Sequence, residues 1–196
     1  MIAAIVLAAG ASSRMGHAKA MLTLGPAGPT FVDAITDTLR AADVPVWRIV
    51  VAPGFAARGD HDVVNPDPSL GMLSSIQCGL SDFPEPPDAV LVWPVDHPLV
   101  APETVRAILA AFKSANTPVV VPTYKGRRGH PVLFAARVFP ELLAADRSHG
   151  AREVVHAHDD RVELEVSDLG VIEDIDTPAD YERVFGASIA SSPAEQ

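Results

Sequence analysis

Apolar residues fall along this chain in two alternating rhythms. Residues 2–7 form an unbroken apolar run containing the pair Ile5 and Val6, as expected of a strand buried on both faces. Similar runs at 46–53 and 88–94 predict two more buried strands, and 118–122 and 131–134 predict shorter extended segments. A weak strand is expected at 62–65, and the charged–apolar alternation over 161–166 predicts a half-exposed one. Helical spacing fills the gaps. Thr30 reads as an N-cap with Asp33 as its box acid, and Phe31, Ala34, Ile35, Thr38 and Leu39 carry a helix to about Ala42. Further helices are predicted over 71–80, from Pro102 to about Ala115, over 137–145 and over 151–158. Thr177-Pro178-Ala179-Asp180 combines an N-cap, a proline at the first position and a box acid, and starts a last helix reaching about Phe185. Strands alternating with helices predict an α/β fold, a three-layer sandwich on a mostly parallel sheet.

Composition narrows the class. With 196 residues, 48% of them hydrophobic, the chain can bury a sizeable core, and one domain over residues 1–186 is expected. The small, polar segment 187–196 reads as a disordered tail. Acids outnumber bases 25 to 15, a net charge of −10, which disfavours broad binding to nucleic acid or an anionic membrane. The single cysteine, Cys78, excludes an internal disulfide and points to a reducing compartment. The apolar start lacks a basic n-region, and no run approaches the roughly 18 apolar residues of a membrane span. A cytoplasmic protein is the expectation.

Candidate chemistry begins where the first strand ends, at Leu7-Ala8-Ala9-Gly10-Ala11-Ser12-Ser13-Arg14-Met15-Gly16-His17-Ala18-Lys19. Small residues let the backbone approach a ligand and aim successive N–H groups at an anion, while Arg14 and Lys19 add two fixed cations. Such a loop suits a polyphosphate. It is not a P-loop, because five residues separate Gly10 from Gly16 and Lys19 comes three residues later. Nor is it the dinucleotide fingerprint, since position 12 is Ser. Elsewhere, Trp93-Pro94-Val95-Asp96-His97-Pro98 places one carboxylate between prolines at a strand end, stiff enough to ligate a hard cation such as Mg²⁺. In Glu173-Asp174-Ile175-Asp176, Asp174 and Asp176 stand on alternate positions of an expected strand end, so that both point to one side. Gly71 permits close approach at a helix N-terminus. Lys125-Gly126-Arg127-Arg128-Gly129-His130-Pro131-Val132 is a basic loop, whereas His156 and His158 diverge at a helix end and are expected to be surface polarity.

The pattern Leu-Ala-Ala-Gly-x-Ser-x-Arg-Met-Gly-x-x-Lys resembles the signature loop of the MobA-like NTP transferases, and within them the molybdenum cofactor cytidylyltransferase branch. Matching motifs run from Leu7 to Tyr181. The resemblance implies a seven-stranded Rossmann-like mixed sheet of the nucleotide-diphospho-sugar transferase type. It implies a Mg²⁺- or Mn²⁺-dependent nucleotidyltransferase, with CTP as donor, molybdopterin as phosphorylated acceptor and pyrophosphate as leaving group. Arg14, Lys19 and Asp96 would be catalytic, with Asp96 and Asp176 on the metal and Asp174 in reserve. Leu7, Ala8, Ala9, Gly10, Ala11, Ser12, Ser13, Arg14, Lys19, Gly71 and Ser75 would bind the nucleotide, and Arg128 and His130 the acceptor. A molybdoenzyme or its maturation chaperone is the implied protein partner. A sugar phosphate or other alcohol phosphate stays open as acceptor, as does an NAD(P)H-binding reductase on the same fold. The metal carboxylates favour transfer over hydride chemistry.

Overall fold

A computed structural model describes residues 1–10, 15, 18–55, 59–146 and 150–189. Its centre is the strand β1 (Ile2–Ala8), parallel to β2 (Val46–Val51) on one side and to β4 (Ala89–Pro94) on the other. The short β3 (Asp62–Val64) lies parallel to β2 at that edge. Beyond β4 the order continues through β7 (Val132–Ala135) to β5 (Val119–Tyr124), which also pairs with β6 (Arg127–Arg128) and β8 (Val162–Glu165). Counting the two-residue β6, the described residues form eight strands, one more than the expected seven.

The run at 131–134 turns out to be an inner strand. Every residue of β7 is buried, and it lies antiparallel to both β4 and β5. An unbroken apolar segment needs cover on both faces, and an inner position supplies it. The basic turn is a hairpin, in which Arg127 and Arg128 pair back onto Tyr124 and Thr123.

Alternate residues of β1 feed two cores. Ala4 and Val6 join α1 (Phe31–Ala41), α3 (Pro102–Ala115) and α6 (Pro178–Phe185), through Phe31, Ile35, Leu39, Val105, Ile108 and Tyr181. Ala3, Ile5 and Leu7 face α2 (Met72–Ser81), α4 (Phe139–Ala144) and α5 (Ala151–Ala157), through Leu73, Ile76, Leu80, Leu142 and Val154. The caps follow local chemistry. Thr30 accepts from the Asp33 amide, and the box at Thr177 and Asp180 is closed in both directions. Among the described residues no helix is long and apolar enough to cross a membrane.

Helix α2 sits tightly on the sheet because Gly79 has no side chain: a Cβ there would stand 2.7 Å from Ile5 Cγ2 and 3.1 Å from Val50 Cγ2. Both methyls belong to fully buried strand residues with little room to give. Alanine normally gains up to about 1 kcal/mol over glycine inside a helix, but overpacking costs about 1–3 kcal/mol, so the clash wins. Gly79→Ala should therefore lower the urea midpoint without changing the slope, and a raised midpoint would show that α2 has room against β1.

Candidate functional site

The chain winds from β1 outwards to β2 and β3, then returns through α2 to β4 on the other side of β1. This makes the gap beyond the carboxyl ends of β1 and β4 the switch point where α/β sheets bind ligands. Backbone bonds fix both exits. The Val95 N–H donates to Leu7 O at 3.1 Å, and the Ile175 N–H donates to Asp96 O at 2.9 Å. Trp93, wholly buried, donates its indole N–H to His97 O at 2.9 Å and holds the far side of the Asp96 turn.

The Ile175 bond brings a segment from far along the chain beside Asp96. Residues 173–176 are irregular backbone rather than the expected strand end, because their bonds go to the Asp96 turn and to the cap of α6. Asp180 Oδ2 accepts from the Asp176 amide at 3.3 Å, the Thr177 amide at 2.9 Å and the Thr177 hydroxyl at 2.7 Å. These bonds, the hydroxyl's foremost, hold the Asp180 carboxyl below the usual carboxylate range. Helix α6 is docked by Tyr181, whose ring stacks on Phe31 of α1 with centroids 6.5 Å apart.

Asp176 and Asp96 converge on one ammonium. Lys19, in the 3₁₀ turn Lys19–Met21, donates through Nζ to Asp176 Oδ1 and, at 3.4 Å, to Asp96 Oδ2. Asp96 Oδ1 is buried and has no hydrogen-bond partner among the described residues; His97 Nε2 stands 3.9 Å away.

These groups line a cleft of about 360 Å³. Lys19, Asp96 and Asp176 line it with Pro94 and Val95, together with Leu7, Ala8, Ala9 and Gly10 from the end of β1 and Pro68, Gly71, Met72 and Ser75 around the start of α2. Nine of the residues singled out in the sequence thus share one cavity: Leu7, Ala8, Ala9, Gly10, Lys19, Gly71, Ser75, Asp96 and Asp176. Ala11, Ser12, Ser13 and Arg14 lie outside the described residues. Asp174 is exposed and off the cleft, so Asp176 is the acid that reaches it.

The basic hairpin stands apart from the lining. Arg128 is held by Glu163, with Nη2–Oε1 at 2.5 Å and Nε–Oε1 at 3.0 Å. His130 lies with its ring centroid 5.0 Å from that of His97, which joins it to the Asp96 turn. His158 contacts Glu141 at 2.9 Å, and His156 lies 3.4 Å from Arg128, as surface polarity would. The sequence reading missed His97, and it missed Asn65, which is buried behind Ser75.

A divalent cation fits this donor set. Asp96 and Asp176 offer oxygens, the buried Asp96 Oδ1 lacks a donor, and an ammonium already marks the position between them as cationic. Among the described residues no cluster of three or more His, Cys, Asp or Glu forms a protein cage. One or two carboxylates completed by substrate phosphates is how Mg²⁺ is commonly held.

A family model for the MobA-like NTP transferase domain matches residues 4–162. The chain is 26% identical over 188 residues to the molybdenum cofactor cytidylyltransferase of Escherichia coli K12, covering 90% of this chain and 92% of that protein. Among solved structures it is similar to Rv0371c of Mycobacterium tuberculosis H37Rv, with 29% identity, a TM-score of 0.80, and 95% and 97% of the two chains covered. A manganese complex of Rv0371C matches with 26% identity and a TM-score of 0.75, over 95% and 98% of the chains.

His130 carries a pH signature. Burial, and then the neighbouring His97, lower its pKa from 6.5 to about 3. The unfolded chain therefore takes up this proton at a higher pH than the folded one. The stability that depends on neutral His130 is complete above pH 6.5 and is lost as the pH falls towards about 3. His130→Gln should accordingly flatten the decline of the urea midpoint between pH 7 and 4. Parallel declines in parent and variant would assign the acid sensitivity to other groups.

Proposed function

The chain belongs to the MobA-like NTP transferase family, and from that premise we propose that it transfers CMP from CTP to molybdopterin or a similar phosphorylated acceptor. An acceptor phosphate oxygen attacks the α-phosphorus, the bond from the α-phosphorus to the bridging oxygen breaks, and pyrophosphate leaves. The observation that carries this reading is the bridging of Asp96 and Asp176 by Lys19 at the mouths of β1 and β4. The cytidylyltransferase name of the Escherichia coli relative supports CTP and molybdopterin. The manganese in the Rv0371C complex supports a divalent metal, Mg²⁺ or Mn²⁺.

Each wall of the cleft then has a task. The small residues Ala8, Ala9 and Gly10, continued by Ala11, Ser12 and Ser13, bring backbone amides close to the triphosphate, and Arg14 grips its outer oxygens. Asp96 and Asp176 hold the divalent cation, which supplies charge neutralisation at the phosphates when bound. Lys19, whose ammonium bridges the two carboxylates, meets charge at the α-phosphate. Gly71 and Ser75, which line the same cleft, hold base and ribose. Arg128 and His130 serve the acceptor. The Arg128–Glu163 pair is partly exposed, and pairs of that kind contribute only about 0–1 kcal/mol, so an acceptor phosphate can draw Arg128 away. A phosphate acceptor is already ionised, and catalysis rests on positioning and charge neutralisation rather than on a base.

The test is calorimetric titration with CTP, UTP, ATP, GTP and NADPH, with and without Mg²⁺ or Mn²⁺, followed by pyrophosphate release with molybdopterin. Metal-dependent binding of CTP and release of pyrophosphate are expected; metal-independent NADPH binding without CTP binding overturns the reading. Asp96→Asn should lower turnover on the order of 10²-fold while melting near the parent. Lys19→Ala should lower single-turnover rate more than CTP affinity, because its charge matters most as the α-phosphate reacts. Equal losses of rate and affinity for Lys19→Ala would place this side chain in ground-state binding instead.

A further inference from the structure

Strand β8 carries two glutamates on one face, and they are held in different ways. Glu163 stands opposite Val121 of β5, and Glu165 opposite Thr123. Glu165 is tied to the scaffold: Oε2 accepts from the Thr123 hydroxyl at 2.7 Å, and Oε1 from the Lys125 amide at 2.7 Å. Glu163 is held by arginine side chains. Its Oε1 accepts from Arg128 Nη2 at 2.5 Å, from Arg128 Nε at 3.0 Å and from Arg161 Nε at 3.1 Å. Arg128 reaches across β5 from its place opposite Thr123, so guanidiniums from β6 and from the start of β8 converge on one carboxylate.

That carboxylate is a poor match for them. A guanidinium fork suits two separate oxygens, and here Nε and Nη2 of Arg128 both fall on Oε1, with Arg161 on the same atom. A phosphate offers the same donors three oxygens and about twice the charge. Arg161 is preset to receive one, because Nη1 donates to His158 O at 2.9 Å and fixes the plane of the group. The Arg128 hydrogen bond foremost holds the Glu163 carboxyl below the usual carboxylate range, so at neutral pH a full negative charge fills the place. The other acid nearby, Asp159, is fully exposed and 4.0 Å from Arg161.

The cluster sits on the acceptor side of the fold. Arg128, Arg161 and Glu163 are not among the residues that line the nucleotide cleft, and β7 stands between β5 and β4. Gly129 and His130 follow Arg128 directly, and the His130 ring lies 5.0 Å from that of His97, the neighbour of Asp96. Resting on the transferase reading above, we infer that Arg161 joins Arg128 in a binding site for an oxyanion of the acceptor, and that Glu163 fills this site as an internal substitute until the acceptor arrives. Displacement is easy because Glu163 is partly exposed and passes into water, and exposed ion pairs are weak. The site acts in acceptor binding, so it governs KM rather than kcat.

The measurement is pyrophosphate release against molybdopterin concentration, at saturating CTP and Mg²⁺, in the parent, Glu163→Gln and Arg161→Ala. CTP titrations and thermal melts accompany each protein. Glu163→Gln should lower the acceptor KM roughly two- to five-fold at unchanged kcat and CTP affinity, because it removes the competing charge. Loss of a merely structural tie would not improve acceptor binding. Arg161→Ala should raise the acceptor KM roughly ten-fold. Inorganic phosphate is a second probe that does not depend on the acceptor's identity. Its binding, followed by phosphorus NMR with CTP and Mg²⁺ present, should strengthen in Glu163→Gln and weaken in Arg161→Ala. Equal phosphate binding and equal KM in all three proteins overturn the inference, as does a raised KM in Glu163→Gln. A parent that binds CTP and releases pyrophosphate, with variants that match it, defeats this inference alone. A parent that binds no CTP defeats the transferase reading and the acceptor role with it.

Discussion

Two carboxylates meet beyond the carboxyl ends of β1 and β4, and their closeness requires a cation between them. Asp96 and Asp176 share the Lys19 ammonium, so they lie within a few ångströms of each other. At that separation, with an effective dielectric near 20, two like charges repel by a few kcal/mol. The backbone enforces the approach through the bond from the Ile175 amide to the Asp96 carbonyl, with the Thr177–Asp180 capping box behind it. The two acids are held by bonds that do not depend on their own charge. The cation between them is the ammonium of a lysine, a compact charge on a flexible stem.

The architecture serves that meeting. β1 is buried on both faces and carries Ala8, Ala9 and Gly10 at its exit, where they line the cleft. Trp93 anchors the turn that presents Asp96, and Tyr181 against Phe31 anchors the helix whose cap presents Asp176. A residue from the first quarter of the chain, one from the middle and one near the end reach a common point because their elements leave one edge of the sheet and of its covering helices. Asn65 is tied to the cleft lining through Ser75, whose Oγ accepts from Asn65 Nδ2 at 3.0 Å.

What could be read from the sequence was what is encoded locally. The apolar run of β1, the Thr30 cap and the proline-framed Asp96 each depend on neighbours within a few residues, and each is where the pattern placed it. Of the nine cleft residues, Leu7 to Gly10, Lys19, Gly71 and Asp96 stood in local motifs, whereas Ser75, and Asp176 ahead of Asp174, came from the family resemblance. Features settled by distant partners were hidden. The run Val132–Ala135 states that it must be buried, but not that it runs antiparallel between β4 and β5. The alternation of Asp174 and Asp176 suggested a strand; the Asp96 carbonyl and the Asp180 carboxylate claim that backbone instead. Arg128 read as part of a basic loop, and nothing near it in the sequence announced its pairing with Glu163, far along the chain. Asn65 carried one local sign, an asparagine in a proline-rich turn, and nothing in the chain order tied it to Ser74 and Ser75.

A net charge of −10 and a polyanionic ligand are reconciled by distance. At physiological salt the Debye length is about 8 Å, so exposed acids scattered over the surface contribute little inside the cleft. At short range the cleft offers the small residues Ala8, Ala9 and Gly10 and the Lys19 ammonium, in a partly desolvated space where charge interactions are stronger than at the surface. The same cleft holds Asp96 and Asp176, so two negative charges stand beside the one ammonium that bridges them, and a polyanion meets a locally acidic site unless a further positive charge comes with it.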